Sequence, residues 1–115
     1  MEFFDKLFAI GNEVRYVAIA KGQDVTLRER PGLAAASSSE SDRYEELLVN
    51  PALLILARQR GDIDCGGLDY LVIRYSNFFQ VVIPYHAGHV SIAVEPSSDP
   101  IMVATRACDL INSAT

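Results

Sequence analysis

Between Leu68 and Pro96 the chain alternates through runs rich in Val, Ile, Tyr and Phe, broken by two short turn signals, Ser76-Asn77 and Ala87-Gly88. This pattern predicts antiparallel strands joined by hairpins. With Ala87-Gly88 as the turn, Tyr85 faces Val90, Ile83 faces Ile92 and Val81 faces Val94, so one face is wholly apolar; a one-residue slip would undo the match. The same test at Ser76-Asn77 pairs Val72 with Val81 and Tyr70 with Ile83 on that face. On the opposite face Leu71, Ile73, Tyr75, Phe78, Val82 and Ala93 mix with Asp69, Gln80, Ser91 and Glu95. A sheet apolar on one side and half-apolar on the other calls for helices on both. Pro84 cannot donate to a ladder; in this register it lies opposite Asp69, where the neighbouring strand begins.

The flanking pattern supplies the helices. Phe4, Leu7 and Phe8 have helical spacing within residues 2–10, with Gly11 as a stop. Val14 to Ala20 reads as a strand, Lys21-Gly22-Gln23 as a turn, and Asp24 to Arg30 as its hairpin partner, a protected edge that ends at Pro31-Gly32. Residues 33–41, LAAASSSES, read as a flexible surface loop. From Asp42, with Glu45 in a capping arrangement, the pattern is helical. One stripe holds Tyr44, Leu47, Leu48, Leu54 and Ile55; a second holds Val49, Leu53 and Leu56. A helix apolar on two sides must be buried on two sides, which the sheet alone does not provide. Asn50-Pro51 either kinks this helix or caps a second one, and Arg60-Gly61 marks its end. Asp99-Pro100 opens a last helix. The expected order is α-β-β-α-β-β-β-α.

The 115 residues, half of them hydrophobic, suffice for one domain with a core of its own. A net charge of −5 argues against binding a phosphate backbone. No stretch approaches the length of a membrane span and no leader is apparent, so a cytoplasmic protein without membrane insertion is expected, with Cys65 and Cys108 reduced.

Candidate chemistry is sparse. His86 and His89 flank the Ala87-Gly88 turn and would approach each other, but the remaining ligands of a metal site are missing, and both read as exposed turn residues. Cys108 reads as a small core residue, and no base accompanies Cys65. Glu45-Glu46 and Asp62/Asp64 are explained by solvation. No glycine-rich phosphate loop is present. Catalytic residues, cofactor and metal are therefore expected to be absent, and a binding or scaffolding module is the reading.

The run LDYLVIRYSNFFQVVIPYHAGHVSIAVEPSSDP and the helix after it resemble the Roadblock family of dynein light chains and GTPase regulators. The match lies in the strand ending near Ile73-Arg74, the aromatic restart at Phe78-Phe79, the segment Val81 to Pro84, the hydrophobic last strand and the Asp-Pro helix opening. The resemblance implies an α+β, profilin-like sandwich: a five-stranded antiparallel sheet with the central helix on one face and the terminal helices on the other. It also implies a homodimer, or a heterodimer with a Roadblock-like relative, through Tyr44, Leu47, Leu48, Leu54, Ile55 and Arg58 of the central helix and Leu68, Tyr70, Val72 and Arg74 of the following strand. Its further implication is a non-catalytic module that scaffolds or regulates a small Ras-like GTPase or a motor or signalling complex. The alternative is a small-molecule sensor of profilin- or PAS-like architecture, with a pocket lined by Tyr70, Tyr85 and Phe79. A secretion chaperone fits less well, since its element order places three strands before the middle helix.

Overall fold

The computed structural model describes residues 2–32 and 39–114. The elements are α1 (Phe3–Phe8), β1 (Val14–Lys21), β2 (Asp24–Glu29), α2 (Ser39–Tyr44), a π-helical segment (Glu45–Val49), α3 (Asn50–Asp64), β3 (Leu71–Arg74), β4 (Phe79–Tyr85), β5 (Gly88–Val94) and α4 (Pro100–Ala114). All five strands join one antiparallel sheet in the order β2-β1-β5-β4-β3. The expected α+β order and layering are observed.

The apolar face of the sheet builds the main core. Val17, Val81, Ile83, Val90 and Ile92 pack there with Leu7 of α1 and Val103, Ala104, Ala107 and Ile111 of α4. Tyr70, Phe79 and Tyr85 pack against the same core, so the face assigned to a sensor pocket is covered by the protein's own helices. Asp99 caps α4 as expected, its Oδ1 accepting from the backbone N–H of Ile101 at 3.0 Å and Met102 at 3.3 Å.

The register at Ser76-Asn77 is the expected one, with Val72 opposite Val81. The second hairpin differs by two positions. Tyr85 pairs with Gly88, Ile83 with Val90 and Val81 with Ile92, so the turn is His86-Ala87, with His86 at φ 51°. An even shift leaves every side chain on its expected face. Gly88 belongs to the strand, and its glycine is demanded by β1: a Cβ there would lie 1.7 Å from the Ala20 carbonyl oxygen.

The central helix departs further. It starts at Ser39, so the last residues of the expected loop 33–41 are helical and Asp42 is an internal residue, not a cap; residues 33–38 lie outside the described chain. Asn50-Pro51 neither splits nor caps it. Asn50 is helical at φ −63°, ψ −45°, and its N–H donates to the Glu45 carbonyl, five residues back. Pro51 has no N–H, and its ring would press on the carbonyl four residues earlier; the wider π turn accommodates both defects. The helix then passes Arg60-Gly61 and ends at Asp64, where Gly67 N–H returns to the Gly61 carbonyl at 3.1 Å. A Cβ on Gly61 would sit 3.2 Å from the Gly67 carbonyl carbon, so the glycine admits this close return of the chain.

Candidate functional site

The central helix lies on the mixed face of the sheet, its π-helical segment against β1 and α3 against β5. Asp42, Glu46, Asn50, Leu54 and Gly61 are its buried residues, an inward stripe of mostly four-residue steps. Leu54, expected in an intermolecular contact, is 5% exposed within the single chain. It is a core residue, because the stripe it shares with Asn50 faces the sheet.

Beneath that stripe sits a polar cluster. Glu46 is fully buried. Its Oε2 accepts from the Tyr16 hydroxyl at 2.7 Å, and its Oε1 accepts from Asn50 Nδ2 at 3.0 Å. His89 Nε2 lies 2.7 Å from the same Oε1; an ionised Glu46 requires the proton on Nε2. Asn50 also reaches Ser91 Oγ at 3.4 Å, and Gln80 donates to that hydroxyl. His89 is 2% exposed, which corrects its reading as an exposed turn residue; only His86 is exposed. The alternation that puts Ser91 on the mixed face also puts His89 there, and Glu46 and Asn50 have the spacing of one helix face. What the sequence does not display is that these two sets meet. Among the described residues no three His, Cys, Asp or Glu side chains group as a metal site.

Beside this cluster, between the start of the central helix and the sheet end where β1 and β4 begin, opens a cleft of about 500 Å³. Tyr16, Tyr44, Tyr75 and Phe78 line it together with Glu29, Asp42, Glu45, Glu46 and Arg15. Glu45 Oε1 accepts from the Tyr75 hydroxyl at 2.7 Å, while its Oε2 is buried with no hydrogen-bond partner. Burial raises the Glu45 carboxyl above its ordinary range, against the opposing pull of the Tyr75 hydrogen bond. Burial and the neighbouring carboxylates push the Tyr75 phenol up to about 12. Tyr16 is raised for the same reasons, with burial first and Glu46 next.

The remaining expected interface residues are dispersed. Tyr44, Leu48, Ile55 and Arg58 are exposed on the central helix and Leu47 is half-buried. Outside the expected set, Leu53, Leu56 and Ile63 are also exposed. The strand expected over Leu68–Tyr75 is shorter, leaving Leu68 and Tyr70 in the approach to β3. Tyr70 and Val72 turn partly into the apolar core, because they lie on that face of the sheet. Arg74 is exposed, its guanidinium 4.7 Å from the Phe79 ring centroid and bonded to the carbonyls of Tyr75 and Ser76. Cys65 is an exposed free thiol and Cys108 a half-buried one against the main core. No described helix is long and apolar enough to cross a membrane.

No family model and no curated protein matches the sequence. Solved structures do match. A Roadblock/LC7 domain from Streptomyces avermitilis superposes with a TM-score of 0.63 at 15% identity, over 92% of this chain and 88% of that one. The gliding protein MglB from Thermus thermophilus gives 0.62 at 12% identity, over 96% and 89%. MglC from Myxococcus xanthus gives 0.55 at 12% identity, over the full length of both. The chain has the Roadblock/LC7 fold.

Proposed function

We propose that this chain is a non-catalytic interaction module that dimerises through the outer side of its central helix and regulates or scaffolds a small Ras-like GTPase. The observation that carries the reading is the outward apolar surface of that helix. Leu48 is 56% exposed, Ile55 58% and Leu56 66%, although the opposite side of the helix is already packed on the sheet. Large apolar side chains gathered on one surface mark interaction sites. The four-residue edge strand β3 adds a row of backbone groups through which a second sheet could pair. A second copy of the chain, or a relative of the same fold, meets both features with one symmetric contact.

The GTPase partner rests on the fold and on the resemblance to regulators of that family, which is an argument by analogy. The assembly is tested by light scattering across a dilution series, on wild type and on a Leu48→Glu/Ile55→Glu double variant. Wild type is expected to be dimeric and the variant monomeric and folded. A monomeric wild type at every concentration refutes the reading. Pull-down with purified Ras-like GTPases then tests the partner separately.

A further inference from the structure

The cleft beside the buried cluster has features that a dimerising helix does not require. Its volume of about 500 Å³ falls within the range of small-molecule sites, about 300–1,000 Å³. Its lining combines flat aromatic walls with an excess of negative charge, since Glu29, Asp42, Glu45 and Glu46 face a single guanidinium, Arg15. That guanidinium is already engaged at the rim: it donates to the Asn77 carbonyl at 3.2 Å, lies 3.7 Å from Glu95 and sits 6.0 Å from the Phe78 ring centroid. Glu46 is satisfied by Tyr16, Asn50 and His89. Glu45 differs, because one of its oxygens holds Tyr75 and the other is buried without a partner. A buried carboxylate oxygen lacking a donor is costly, and a ligand donor would remove that cost. The Tyr75 and Phe78 rings, 5.3 Å apart and tilted, line the same space as Glu45.

We propose that this cleft binds a small organic cation, whose amidinium, guanidinium or ammonium group donates to Glu45 while its body lies against Tyr75 and Phe78. Cations are favoured twice, by the carboxylates and by the ring faces. Anions meet like charge. A neutral ligand of the same shape keeps the stacking and loses the charge-assisted bond, so the cleft selects by charge more than by shape. The site lies at the sheet end of the central helix and does not depend on the dimer proposed above.

The test uses the full chain, with benzamidine as the probe and benzamide as its neutral counterpart of nearly equal shape, read by amide NMR shifts. Benzamidine is expected to shift the amides of Glu45 and of residues 75–78 saturably, and benzamide to bind at least about tenfold more weakly, a difference of 1.4 kcal/mol. Glu45→Gln, which keeps the side-chain shape, should reduce the preference to near parity. Should that variant fail to fold, added salt provides the same reading, since it weakens the cation's binding and leaves that of benzamide unchanged. Equal binding of the two probes, shifts outside the cleft, or no shift at about 10 mM benzamidine overturns the proposal.

Discussion

Replacing Glu46 with alanine should be among the most damaging single changes in this chain, because the residue is the shared acceptor of a buried polar cluster. The carboxylate is fully buried and accepts hydrogen bonds from Tyr16, Asn50 and His89 at 2.7, 3.0 and 2.7 Å. Removing it leaves the Tyr16 hydroxyl and the His89 ring without their acceptor, each at a cost of about 1–3 kcal/mol where the donor stays buried, while Asn50 retains its longer contact with Ser91. The two acceptor bonds lost by Tyr16 and His89 together amount to about 2–6 kcal/mol. Against a domain stability of about 5–15 kcal/mol, that loss brings the protein near its unfolding threshold. With a urea m-value of about 2 kcal/mol/M, the midpoint should fall by about 2 M. The companion variant Glu46→Leu/His89→Leu should recover much of the loss, because a paired polar group replaced by packed apolar side chains is often neutral, and the coupling should reach about 1–3 kcal/mol in a double-mutant cycle. A Glu46→Ala midpoint within the error of wild type would refute the reasoning, since it would mean that the cluster is solvated or reorganises freely.

Other perturbations separate the parts of the molecule. Leu54→Ala should cost about 2–5 kcal/mol in urea unfolding, whereas Leu48→Ala on the exposed side should stay within about 0.5 kcal/mol for the monomer. Gly88→Ala drives a Cβ into the Ala20 carbonyl, and a melting scan should record a loss of about 3 kcal/mol or more. The Tyr75 phenol is raised to about 12 in the folded chain, so folding favours its protonated form; that contribution is complete below pH 10 and is lost as the pH rises towards 12. Urea midpoints should therefore be level from about pH 7 to 9 and fall above 10, and Tyr75→Phe should reduce the fall without abolishing it, because Tyr16 is raised as well. A fall of the same size in Tyr75→Phe would deny Tyr75 its role.

The layers of this fold are legible in the sequence because they depend on alternation and on turn residues, which are local. Val72 opposite Val81 follows from Ser76-Asn77, and the Asp99 cap follows from a dipeptide. The β4–β5 turn lies two positions from the expected one because Gly88 looks like a turn glycine, while its real constraint comes from β1, far away in sequence. Leu54 reads as an outward residue for a related reason. Leucines occur on both sides of the central helix, and hydrophobicity does not reveal that the inward stripe begins with the polar residues Asp42, Glu46 and Asn50. The candidate site is least legible of all. Its buried partners come from β1, the π turn, β4 and β5, and each alone resembles a solvated surface residue. Only the packing of the helix on the sheet joins them.

The π turn at Glu45–Val49 also bears on how this chain can be compared with others. A turn closed from residue 50 to residue 45 holds one residue more than the α-turn it replaces. A related chain with an unbroken α-helix would therefore align with this one only across a single-residue gap in that interval. An alignment without the gap would rotate one half of the helix by about 100° relative to the other, setting the inward Glu46 against a neighbour's outward position. Backbone superposition tolerates such an offset locally, whereas residue-by-residue comparison does not.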